Sequence, residues 1–129
     1  MNAHTYPPTL IDGHDTTIKL FWDRVSRFNS KIAMREKDLG IWRSITWKQY
    51  GEKARAVGLG LVSLGLKRGD VVSILSENNP EWLFCDMGTL GVGGVSNGVY
   101  TTDSAKQVEY LCIDSNTRSF IASNLEDLI

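Results

Sequence analysis

The sequence predicts an α/β fold: parallel-sheet βαβ layers preceded by a small N-terminal hairpin. Three observations carry this reading. Val71, Val72, Ile74 and Leu75 form a short apolar run without alternation, the pattern of a strand covered on both faces. Asn79-Pro80 then opens a helix, Asn as cap and Pro at the first helical position, where a missing N–H costs nothing. The glycines Gly91, Gly93 and Gly94 stop that helix, and Val95 to Tyr100 reads as the next strand. Strand, helix, strand is a βαβ unit with a right-handed crossover. Its helix, Glu81 to about Leu90, is apolar nearly all round, which predicts burial on every side.

Taken in order, residues 1–16 read as a loose tail with Pro7, Pro8 and Gly13. Asp12, His14 and Asp15 cluster there, but a lone imidazole without a second ligand at i+4 argues for solvated side chains over a metal site. A helix from Thr16 or Thr17 carries Leu20, Phe21, Val25 and Phe28 at helical spacing and is expected to end at Asn29-Ser30. Ile32–Arg35 and Ile41–Thr46 are expected as short strands, with Lys37-Asp38-Leu39-Gly40 turning between them.

Thr46-x-x-Gln49 is a capping box for a long amphipathic helix. Tyr50, Ala54, Val57, Leu61 and Leu64 form its apolar stripe, and Lys48, Glu52, Lys53 and Arg55 face water. Gly58 and Gly60 each cost a helix about 1 kcal/mol relative to Ala, which predicts close backbone approach to a neighbour.

After Tyr100, Ser104-x-x-Gln107 is a second capping box, and its helix is expected to bury Ala105, Val108, Leu111 and Cys112. Arg118 to Ala122 reads as a third parallel strand. Ser123-x-x-Glu126 is a third capping box, followed by Leu125, Leu128 and Ile129. One turn of helix cannot hold itself, so this ending predicts a fragment of a longer protein.

The length, 129 residues, suits a single core. Fourteen Lys and Arg against fifteen Asp and Glu leave a net charge of −1, so the average composition argues for neither nucleic acid nor a membrane surface. Cys85 and Cys112 read as small buried hydrophobes in a reducing compartment. The first fifteen residues lack the charged and apolar regions of a secretory signal, and a cytoplasmic location is expected.

Three motifs invite chemistry. Gly94-x-Ser96-x-Gly98 matches the nucleophile elbow, but that elbow joins a strand to a following helix, and here a helix precedes and a strand follows. The only histidines, His4 and His14, lie in the tail. Gly91-x-Gly93-Gly94 lacks the last glycine of the dinucleotide fingerprint and closes a helix instead of opening one. Thr101 to Lys106 follows a strand and opens a helix, yet it has no glycine and places Asp103 where a phosphate would sit, so it reads as plain capping. By themselves the residues predict an α/β fragment with no catalytic, cofactor-binding or metal-binding residue.

Residues 35–116 nonetheless resemble the start of an AMP-forming acyl-CoA synthetase. This is a member of the adenylate-forming superfamily, which includes firefly luciferase and the nonribosomal peptide adenylation domains. The matching pieces are Ile45-Thr46-Trp47 after a charged hairpin, Leu64-Gly65-Leu66 with Gly69-Asp70, Asn78 to Trp82, and Gly93 to Tyr100. Their order and spacing are most similar to the long-chain fatty acid group, and the similarity extends over about residues 17–129. The family that this stretch resembles often has prolines in the loop around Tyr100, where this chain has Asn97, Thr101 and Asp103.

The resemblance implies a parent reaction: a fatty carboxylate attacks the α-phosphate of ATP with Mg²⁺ assistance, and CoA then displaces AMP from the acyl-adenylate. It also implies that the phosphate loop, ribose-binding Asp and C-terminal Lys lie beyond this chain, so no cofactor is expected on it alone. Residues 17–129 would be an incomplete N-terminal subdomain whose partner is the remainder of a ligase chain. No nucleic acid is expected, and peripheral membrane association is left open. The alternative is a free-standing, non-catalytic interaction or regulatory module derived from such a ligase.

Overall fold

The computed structural model describes residue 7 and residues 9–123. Among the described residues, four helices and five strands follow in order: α1 Thr17–Arg27, β1 Ile32–Asp38, β2 Ile41–Thr46, α2 Trp47–Ser63, β3 Val71–Leu75, α3 Pro80–Gly91, β4 Val95–Val99, α4 Ala105–Asp114 and β5 Thr117–Ala122. The third capping box, from Ser123 to Glu126, and the apolar positions after it extend outside the described residues.

Local chemistry fixes most boundaries. The Thr46 and Ser104 side chains accept from the Gln49 and Gln107 amides, and each Gln reaches back to its cap, so both capping boxes form. Asn79 caps α3 with Pro80 behind it. α1 stops at Arg27 with Phe28 as its C-cap, two residues before the expected end. β1 runs on to Asp38, three residues past the expected Arg35, because antiparallel pairing with β2 continues through Lys37–Trp42 and Asp38–Ile41. Leu39 and Gly40, both at positive φ, are left as a two-residue turn.

β3 is the centre of a parallel sheet ordered β4-β3-β5. Val72 and Ile74 are fully buried and pack with Leu61 and Leu66 beneath α2 and α3. A second cluster joins the three long helices: Phe21, Tyr50, Ala54, Phe84 and Met87. Within it the Phe21 and Tyr50 rings meet edge to face with centroids 4.7 Å apart.

Four expectations need correction. α3 is not buried all round: Phe84, Met87, Gly88 and Thr89 are buried against α1, α2 and the sheet, but Leu83 is exposed on the side these elements leave uncovered. α4 buries no residue: Ala105 is exposed and Val108, Leu111 and Cys112 are half-buried, since β5 is its main neighbour. Leu64 is exposed at the C-cap of α2; the chain reverses at Gly65 (φ +93°) and Leu66 enters the core instead. Gly58 does abut another backbone, whereas Gly60 faces open space.

Candidate functional site

The chain passes from β3 through α3 to β4 on one side, then through α4 back across to β5 on the other. In open α/β sheets, ligands favour the carboxyl ends of the strands where the order reverses in this way. At that place lies a crevice of about 350 Å³ between the ends of β3 and β5 and the first turns of α3. Its lining includes Ile74, Ser76, Glu77, Trp82, Cys85 and Ile121. The Ser123 amide donates to the Leu75 carbonyl at 3.1 Å and holds the two strand ends together.

The polar groups around the crevice are largely engaged with one another. Asn79 Oδ1 accepts from the Trp82 amide at 3.0 Å and from Ser76 Oγ at 3.2 Å. Pro80 has no N–H to offer, and Glu81 already lies in the first turn. The positive end of α3 is therefore satisfied from within the chain. Glu77 Oε1 accepts from Thr101 Oγ1 at 2.9 Å, a brace between the carboxyl ends of β3 and β4. Burial, and then the Glu81 charge, push the Cys85 thiol up, so at neutral pH it stays protonated and unreactive.

Glu77 and Glu81 bring two carboxylates to the crevice, and no Lys, Arg or His lines it among the described residues. A nucleoside triphosphate would meet like charge there with no compensating cation among the described residues, so these residues do not fit one. The arrangement holds three strand ends in register and presents an apolar floor with a polar rim.

Behind the crevice runs a hydrogen-bonded cluster with no sequence signature. Ser73 Oγ, fully buried, lies 2.6 Å from Thr117 Oγ1 and accepts from Asn97 Nδ2 at 2.9 Å. Asn97 also donates to Ser115 Oγ at 3.3 Å, and Ser115 Oγ lies 2.8 Å from Thr117 Oγ1. One cluster thus ties β4, β3 and β5 to the C-cap of α4. These residues become neighbours only once the parallel register is set.

The groups singled out by motif are dispersed. Ser96 sits inside β4, and its Oγ, like Thr89 Oγ1 in α3, is buried with no hydrogen-bond partner among the described residues. Gly93 (φ +81°) and the Gly94 amide, which donates to the Thr89 carbonyl at 2.9 Å, form the C-terminal stop of α3. Ser104 caps α4 and Thr101 is spent on Glu77. In the tail, Asp12 pairs with Arg24, Asp15 with Lys19 at 2.7 Å, and His14 Nε2 lies 3.6 Å from Asp23. The hydrogen bond and charge of Arg24 hold the Asp12 carboxyl below its usual range. The acidic cluster therefore docks the tail onto α1. His4 lies outside the described residues.

Comparison with known proteins extends this geometry. Residues 21–128 match the family described as AMP-binding enzyme. The chain is 32% identical over 113 residues to the long-chain-fatty-acid–CoA ligase ACSBG2 of Xenopus laevis, covering 88% of this chain and 15% of that ligase. It is 35% identical over 99 residues to human ACSBG1, covering 77% of this chain and 14% of that protein. In fold it is similar to the NpsA N-terminal subdomain of Klebsiella oxytoca, with a TM-score of 0.75 at 21% identity, over 84% of this chain and 28% of that one.

Proposed function

The chain belongs to the AMP-binding enzyme family, and from that premise we propose that residues 17–129 are the N-terminal scaffold portion of a long-chain fatty acid–CoA ligase, not competent for catalysis alone. The observation that carries this reading is the match itself: about a third of residues identical to long-chain ligases, over a segment that is 15% of the ligase's length.

In such a ligase, ATP, Mg²⁺ and CoA would supply the activation and transfer chemistry at residues outside this segment. This segment's contribution would be rigidity. Groups that stabilise developing charge must be held in place before the reaction begins. The parallel strands β3, β4 and β5, clamped by the Ser73 cluster and the Glu77–Thr101 brace, would form the wall that holds them. The partner on this reading is the remainder of a ligase chain, and the location is cytoplasmic, where Cys85 and Cys112 stay free thiols.

Palmitate-dependent ATP–pyrophosphate exchange tests the proposal. The 129-residue chain alone should give none. Added to a long-chain ligase lacking its own counterpart of residues 21–128, it should restore exchange. Exchange by the chain alone, or failure of the mixture with both parts folded, would overturn the reading.

A further inference from the structure

We propose that the β1–β2 hairpin docks the chain on an anionic lipid surface. The turn places Leu39 at 95% exposure, with Ile41 at 69% and Trp42 at 64% beside it. Leu39 has φ +47°, a conformation that Asn, Asp or Gly adopts more readily in a two-residue hairpin turn. A large aliphatic side chain therefore stands at the tip where both backbone geometry and water disfavour it. An indole beside aliphatic side chains, with cations behind them, is the composition of an interfacial anchor.

The cations are present. Lys37 pairs across the strands with Trp42, its Nζ 5.8 Å from the ring centroid. Arg35 lies two residues further back, and neither Arg35 nor Lys37 forms an ion pair among the described residues. Arg43 is held by Asp38 at 2.8 Å. At the base of the hairpin, Lys31 stands over the Phe28 ring, as do Arg24 and Arg27, which are also paired with Asp12 and Asp23.

The net charge of −1 conceals this asymmetry. Residues 31–48 hold five cations and two acids, a net of +3, and the rest of the chain carries −4, with Arg24 and Arg27 paired to Asp12 and Asp23. Such a field attracts an anionic surface at the hairpin end and repels it at the other. α4 provides the contrast: Tyr110 and Ile113 are comparably exposed, but their neighbours are Glu109 and Asp114. Exposed aliphatic side chains at the tip favour lipid over single-stranded nucleic acid, which would want stacking faces along a cationic groove.

The proposal does not rest on the ligase reading, and its test contains no nucleotide. The 129-residue chain is floated with vesicles of phosphatidylcholine alone, or with about 30% phosphatidylglycerol, where anionic lipid should raise the bound fraction about tenfold. Raising salt to roughly 0.5 M should remove most of that gain. Leu39→Asn should lower binding several-fold while the fold, by circular dichroism, melts no earlier than the parent. The surface pair R35E/K37E should abolish the preference for anionic lipid, and Y110S/I113S should change nothing. Equal binding to both vesicles, full binding by L39N, loss of binding in Y110S/I113S, self-association through the tip, or equally tight binding to a single-stranded oligonucleotide would each overturn the assignment.

Discussion

A Cβ placed on Gly58 would stand 2.8 Å from the Gly88 carbonyl oxygen, and one placed on Gly88 would stand 3.0 Å from the Gly58 amide nitrogen. The two long helices, α2 and α3, therefore touch backbone to backbone at this pair. Gly88 is the tighter of the two, since its Cβ would also meet the Ala54 carbonyl at 2.6 Å. Backbone cannot rotate away as a side chain can, so the helices must separate to admit a methyl group.

Gly88→Ala should lower stability by about 1–3 kcal/mol, the overpacking cost exceeding the gain in helix propensity. Gly60→Ala, with nothing within 4 Å of its Cβ, should raise stability by about 0.5–1 kcal/mol. Urea unfolding of both variants decides the matter, and equal effects at the two positions would contradict the packing described.

Thr46→Ala should cost about 1 kcal/mol by the same measurement, because it removes the N-cap of the longest helix and leaves the Gln49 amide unpaired.

Buried hydroxyls should behave in opposite ways according to partnership. Ser73→Ala strips a shared partner from Asn97 and Thr117 and should cost about 1–3 kcal/mol. Thr89→Val keeps the shape and removes a buried hydroxyl with no partner among the described residues, so stability should rise by about 1 kcal/mol. Destabilisation by Thr89→Val would mean that this hydroxyl has a partner in solution.

Tyr50 predicts a pH dependence. Burial, and then the Asp86 charge, push its phenol up to about 12 from an ordinary 10. The folded state keeps the proton longer than the unfolded state does. The contribution is thus complete below pH 10 and is lost as pH rises toward 12, by at most about 2–3 kcal/mol. Tyr50→Phe forfeits the 3.4 Å bond to the Leu83 carbonyl, and its stability should fall less steeply than the parent's over that window. Parallel pH curves for the two proteins would refute the assignment.

By itself the sequence determined the elements and their order. Capping residues such as Thr46, Asn79 and Ser104 act on their own helix ends, and the apolar run at β3 announces a covered strand, so local chemistry suffices for both. The family was legible as well, because the spacing of those elements is carried in the linear order of residues. The tertiary structure decided what depends on which element covers which. It exposed Leu64 and buried Leu66, left α4 half-uncovered, and separated Gly58 from Gly60 by whether a neighbouring backbone stands opposite. It also gathered Ser73, Asn97, Ser115 and Thr117 into one cluster. Positions 18 to 44 residues apart have no local signal of contact, since only the parallel register of three strands brings them within hydrogen-bonding distance.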